Sequence, residues 1–152
     1  MEGKVIAITG GASGIGLSLG HLLLSRGATI SIADVSQTNL DNAFGSLKSA
    51  AAGSDRILTC QCDVRKLDQV RDWVKQTVDK FGKLDGAANL AGVISKNHGS
   101  GGIEEQDEGD WDFMIGVNLT VGYSPSSPSP HLTDSLPGRH ALHERRVQGD
   151  EA

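Results

Sequence analysis

Lys4-Val5-Ile6-Ala7-Ile8-Thr9-Gly10-Gly11-Ala12-Ser13-Gly14-Ile15-Gly16 carries an apolar strand straight into a glycine-rich turn. Val5 to Thr9 suit a parallel strand buried on both faces. Glycines at 10, 14 and 16 then let the backbone turn tightly and approach a ligand with no Cβ in the way. The helix that follows offers unpaired N–H groups and a partial positive charge to an anion. Gly10, Ser13, Gly14, Ile15 and Gly16 therefore read as a cradle for a diphosphate.

The next residues strengthen this reading. Leu17 to Arg26 is expected to be helical, with Leu19, Leu22 and Leu23 on one face and Gly27 as the stop. Ala28-Thr29-Ile30-Ser31-Ile32-Ala33-Asp34 follows as a second strand ending in a carboxylate. Asp34 lies 18 positions after Gly16, where a doubly wound unit places the group that accepts hydrogen bonds from an adenosine ribose. Val35 lies beside it as a further candidate contact. A carboxylate there repels a 2′-phosphate, which favours NAD over NADP. No Arg or Lys is expected near Ser13 or Asp34 to attract such a phosphate.

The spacing Thr-Gly-x-x-x-Gly-x-Gly, beginning at Thr9, resembles the short-chain dehydrogenase/reductase family. Cys60-Gln61-Cys62-Asp63-Val64 ends a third strand where the family places an Asp whose neighbourhood contacts adenine, which makes Asp63 and Val64 candidates. Asn89-Leu90-Ala91-Gly92 is similar to the family's Asn-Asn-Ala-Gly segment, with Leu90 in place of the second Asn. Asn89, Ala91 and Gly92 thereby join the cofactor candidates, as does Thr9. Trp111 followed by Val117-Asn118-Leu119 resembles the helix that carries the catalytic Asn, so Asn118 is the catalytic candidate. The resemblance covers roughly residues 3 to 120. It implies hydride transfer between NAD(P) and an alcohol or carbonyl carbon, with an Asn, a Ser, a Tyr and a Lys as the working groups. Of those four, only Asn118 has a matching position. The one tyrosine, Tyr123, has Ser127 at i+4, and no lysine occurs after Lys96.

The expected architecture is α/β: a Rossmann-like, doubly wound parallel sheet of about four strands in the order 3-2-1-4, incomplete by the family's standard. Strands are expected over 4–10, 28–34, 57–63 and 84–90, with helices over 14–26, about 38–51, about 67–81 and about 107–120. The third helix is the clearest amphipath, with Val70, Trp73, Val74, Thr77, Val78 and Phe81 on one stripe. Trp73 and Trp111 read as core or helix-packing residues. Residues 95–102 read as a mobile loop, with His98 solvated.

A net charge of -5 argues against nucleic acid or an anionic membrane as a partner. The first strand begins too early to leave room for a leader peptide, and no apolar run approaches a membrane span. Cys60 and Cys62 share one strand face and read as reduced core thiols, which together point to the cytoplasm. All 4 prolines fall at 125, 128, 130 and 137, and Tyr123 to Pro130 is a Ser/Pro run. Residues 1–122 are therefore read as a partial NAD(P)-binding domain and 123–152 as a disordered tail. The tail's abrupt start points to a frameshift, a retained intron or an altered gene model. His140 and His143 lack a third metal ligand at sensible spacing, so no metal is expected.

A further expectation follows from the missing half. Helices that usually make the family's dimer contacts would be absent, leaving non-specific self-association. Three functional readings stay open at this point: a family oxidoreductase inactive on its own, a non-catalytic dinucleotide- or adenosine-binding module, and a non-functional product.

Overall fold

Strands and helices alternate in the computed structural model, which describes residues 1–51, 53–95 and 107–119. The order is β1 (Val5–Thr9), α1 (Gly14–Ser25), β2 (Thr29–Asp34), α2 (Gln37–Ala50), β3 (Ile57–Gln61), α3 (Leu67–Phe81), β4 (Gly86–Asn89) and α4 (Glu108–Asn118). All pairings are parallel and the sheet order is β3-β2-β1-β4, as the alternation implies. Ile6, Ala7 and Ile8 sit opposite Ile30, Ser31 and Ile32 on one side and Gly86, Ala87 and Ala88 on the other. The loop residues 96–102, the 123–152 tail and the His140/His143 pair lie outside the described residues.

Helices pack on both faces of the sheet while Ala87 and Asn89 of the edge strand β4 stay exposed, and the period-2 alternation of side chains decides what each face receives. Ile8, Ile30 and Ile32 point to the α1/α2 side and meet Leu23, Leu24, Leu40 and Leu47, all almost fully buried. Ala7 and Ala33 point the other way, to Cys62 and Trp73 under α3. The polar side chain in that second layer, Ser31, is fully satisfied. The Trp73 indole N–H donates to Ser31 Oγ at 2.7 Å, Ser31 and Thr77 share a 2.7 Å hydroxyl bond, and the Thr77 hydroxyl donates to the Trp73 carbonyl. A small polar residue in an apolar strand is thus the anchor for a buried indole.

Three apolar assignments change. Leu22 is 45% exposed, and the buried face of α1 is Gly16, Gly20, Leu23 and Leu24. The reason is close approach: a Cβ at Gly20 would lie 3.2 Å from Leu47 and 3.4 Å from Ile30, so the helix sits down on its glycines instead of on Leu22. On α3 only Trp73 and Thr77 are buried, and Val78 lies at the exposed margin of the stripe. Trp111 is 60% exposed on α4, not packed.

Candidate cofactor-binding site

The ends of all four strands point to one edge of the sheet, the edge at which open α/β sheets bind ligands. There the turn after β1 folds on itself. Gly10 has φ 63°, and a Cβ on it would lie 2.9 Å from the backbone of Leu90 and Ala91. A Cβ on Gly16 would meet the Gly10 carbonyl at 2.2 Å, and one on Gly11 would meet Ile32 at 2.6 Å. These three glycines are demanded by the packing of the turn. Gly11 was not singled out from the sequence; its pairing with Gly10 was the only signal.

Gly14 is different. It too has a positive φ, 48°, but nothing lies within 4 Å of where its Cβ would be. Its open side faces the start of α1, whose first turn carries no acidic side chain of its own. Ser13 occupies the N-cap in extended backbone, with no hydrogen bond from its side chain to the helix. Ile15 is 77% exposed beside it. The amides of a helix start are thus presented next to a space with no side chain in it. That arrangement fits a diphosphate by its donor set and by the room that a glycine leaves.

Asp34 is tied to this turn. Its Oδ2 accepts from the Ala12 N–H at 3.3 Å and its Oδ1 from the Ser36 N–H at 3.1 Å. Among the described residues no cation is paired with it. Thr9 has a structural role: its hydroxyl accepts from the Leu90 and Ala91 N–H groups at 3.1 and 3.2 Å, locking the end of β1 to the end of β4.

Between the strand ends lies a cleft of about 130 Å³. Gly10, Asp34, Val35, Asp63, Val64, Ala91 and Gly92 line it, so seven of the sequence candidates converge there. Ser13, Gly14, Ile15 and Gly16 belong to the neighbouring turn, Thr9 is turned into the sheet, and Asn89 is exposed outside the cleft lining. Arg65, Phe113, Val93 and Val117 also line the cleft and were not anticipated. No Arg or Lys was expected near Asp34 to attract a 2′-phosphate; Arg65, 31 residues away in sequence, lines the same cleft, paired with Asp63. The fold brings it there from the far end of β3.

Asp63 is held by Arg65. Arg65 N–H and Nε donate to Oδ1 at 3.0 and 2.9 Å, and Nη2 donates to Oδ2 at 2.6 Å. These bonds keep the Asp63 carboxyl below the usual range. The guanidinium in turn lies 4.8 Å from the Phe113 ring on α4. Burial pushes the Cys62 thiol up to about 11, with Cys60 and Asp63 adding to the shift, and burial also raises Cys60. Neither is a thiolate at neutral pH.

Asn118 lies outside the cleft lining, next to Val117 and bonded to Val93, which do line it. Its Oδ1 accepts from Val93 N–H and its Nδ2 donates to the Val93 carbonyl, both at 2.9 Å. The carboxamide thus fastens the end of α4 to the segment after β4. No group of His, Cys, Asp and Glu that could hold a metal occurs among the described residues.

A family model described as short chain dehydrogenase matches residues 4–127, most of the chain. The chain belongs to the short-chain dehydrogenase family. Its members are oxidoreductases of Rossmann-like fold that use NAD(P). The chain is 50% identical over 117 residues to the short-chain dehydrogenase/reductase aba4 of Botryotinia fuckeliana, covering 77% of this chain and 45% of that protein. It is 40% identical to the chanoclavine-I dehydrogenase easD of Claviceps purpurea, covering 93% of this chain and 56% of that one. That second alignment extends past residue 122, further than the resemblance legible in the motifs. Among solved structures, levodione reductase superposes with a TM-score of 0.72 at 31% identity, over 78% of this chain and 45% of its own. The chain spans about half the length of the curated relatives it matches. No helix among the described residues is long and apolar enough to cross a membrane.

Proposed function

We propose that this chain supplies the dinucleotide-binding half of a short-chain dehydrogenase, with NAD preferred over NADP. The observation that carries the reading is the open Gly14 turn at the start of α1, hydrogen-bonded through Ala12 to the Asp34 carboxylate. The diphosphate lies against Gly10, Ser13, Gly14, Ile15 and Gly16, the ribose meets Asp34, and the adenine enters the cleft at Val35, Asp63 and Val64. When bound, the nicotinamide supplies the hydride-carrying carbon for an alcohol or carbonyl substrate. This chain's own part is to bind and orient: helix amides meet the phosphates, Asp34 takes the ribose hydroxyls, and Ala91 and Gly92 offer backbone without bulk beside them.

The proton-transfer group is a separate matter. Tyr123 is the one tyrosine, and no lysine follows Lys96, so no Tyr-x-x-x-Lys turn exists in the chain. Loss of a positioned general acid or base commonly costs about 10²–10⁴-fold in rate. We therefore place the chain by itself as a binding module without turnover, within an oxidoreductase family.

Calorimetry with NAD and with ADP tests the binding half. Similar, weak affinities are expected, since the adenosine-diphosphate portion makes most of the contacts. NAD binding far tighter than ADP would overturn the view that the nicotinamide side is missing. Asp34→Ala is expected to narrow the preference for NAD over NADP, and an unchanged ratio would remove Asp34 from the site. A nicotinamide absorbance assay with a panel of alcohols and ketones is expected to stay flat.

A further inference from the structure

Arg65 is the one cation among the described residues that line the cleft, and Asp34 is in the same lining. Its charge is already committed. Both oxygens of Asp63 face the Nε–Nη2 edge of the guanidinium, at 2.9 and 2.6 Å, and the Arg65 N–H adds a third bond at 3.0 Å. The Asp63 side chain is 14% exposed and that of Arg65 is 41% exposed, so the carboxylate sits inward and the guanidinium lies at the rim. Phe113 lies against the guanidinium from α4 and holds it in that place. A guanidinium grips a phosphate best through the same planar fork that grips a carboxylate. With that edge occupied and the charge balanced, the cleft retains the Asp34 carboxylate as its uncompensated charge.

We propose that Asp63 is a specificity-determining residue: by masking Arg65 it keeps the cleft from accepting an adenosine that carries a 2′-phosphate. The inference rests on the dinucleotide reading above and adds a second source of discrimination to Asp34. Asp34 repels the phosphate directly. Asp63 withholds the cation that would attract it. Converting Asp63 to Asn removes one negative charge and frees one positive charge in a single step, while the amide oxygen can still accept from the Arg65 N–H.

The experiment titrates the full chain and its variants with NAD and NADP, which differ only in the 2′-phosphate. Asp63→Asn is expected to move the affinity ratio toward NADP by roughly tenfold, the scale of one charge-assisted hydrogen bond at a partly exposed site. Arg65→Gln is expected to move it the opposite way, because Asp63 is then left without its counter-ion. The double variant returns the ratio to that of the unaltered chain. A purely structural role weakens both ligands alike and leaves the ratio still. A ratio unmoved by either single variant, with NAD still bound, overturns the masking role alone. Should Asp63→Asn fail to fold, the exposed Arg65→Gln change carries the test, and no shift against NADP refutes the idea. If the unaltered chain binds neither nucleotide, the dinucleotide reading falls first and the masking role with it.

Discussion

Where the strands begin, Asp85 accepts from the Val5 N–H at 2.9 Å, from Lys4 at 3.1 Å and from Lys83 at 3.0 Å. Where they end, Asp34 accepts, among the described residues, from the backbone amides of Ala12 and Ser36 alone. Arg56 belongs to the first edge as well, donating to the carbonyls of Leu24, Ala28 and Ala51 and so closing the C-terminal ends of α1 and α2. The glycine turn and the cleft belong to the second. One edge uses its charges up within the chain, stapling strand to strand and helix to loop. The other leaves helix amides and a carboxylate facing open space. Stability and recognition are thus built at opposite ends of the same four strands, and substitutions at the two ends should separate them.

The largest effect is expected inside the glycine turn itself. Gly16→Ala puts a methyl 2.2 Å from the Gly10 carbonyl, and backbone cannot yield as a side-chain tip does. A loss of about 3 kcal/mol or more in denaturant unfolding is expected, in the range reserved for steric conflicts of this kind. Gly14→Ala meets nothing and bears only the left-handed strain, about 1–2 kcal/mol. Its loss of nucleotide affinity should nevertheless be the more visible change, since the methyl enters the space left for the diphosphate. Equal stability losses at the two positions would break the distinction between packing glycines and cradle glycine.

Arg56→Ala should come next, at the opposite edge. It strips a charged donor from three carbonyls, and a loss of about 2 kcal/mol is expected by denaturant melting. Nucleotide affinity of the folded fraction should not change. A parallel loss of affinity would show that the two edges are coupled through the sheet.

The smallest effect concerns pH. The Val5 amide, Lys83 and Lys4 hold the Asp85 carboxyl well below its ordinary range, and Arg65 does the same to Asp63. A carboxyl lowered on folding binds fewer protons in the native chain than in the unfolded one, so stability rises with pH across that window. The contribution is present above the unfolded value, about 4, and is lost as pH falls through the lower native values. Melting temperature should therefore drop on acidification below about pH 4, and Asp85→Asn should make that drop shallower. An identical acid limb in the variant would assign it to other groups.

Element positions were legible because strand and helix periodicities are local. The Val5–Thr9 run, the Leu67–Phe81 stripe and the turn glycines each announce themselves within a few residues, and the alternation of strands and helices implies the parallel order that forms. Boundaries were less so. Strands expected over 57–63 and 84–90 span Ile57–Gln61 and Gly86–Asn89. The chain leaves the sheet at Cys62 to form the Asp63–Arg65 turn, and Asp85 is drawn into the lysine staple. Trp111 and Leu22 were misassigned because a helix exposes as well as buries apolar residues, and only its neighbour decides which.

The sequence by itself determined the turn, the Asp34 carboxylate and the family, since all three depend on residue types at fixed short spacings. Only the tertiary structure decided which glycine is packed and which is open. The Cβ of Gly16 would strike a carbonyl six residues back, while that of Gly14 would strike nothing. It also brought Arg65 into the same cleft as Asp34 and set Phe113 of α4 against it. Those placements arise from strand ends converging at one edge of a sheet, across separations that no local pattern encodes.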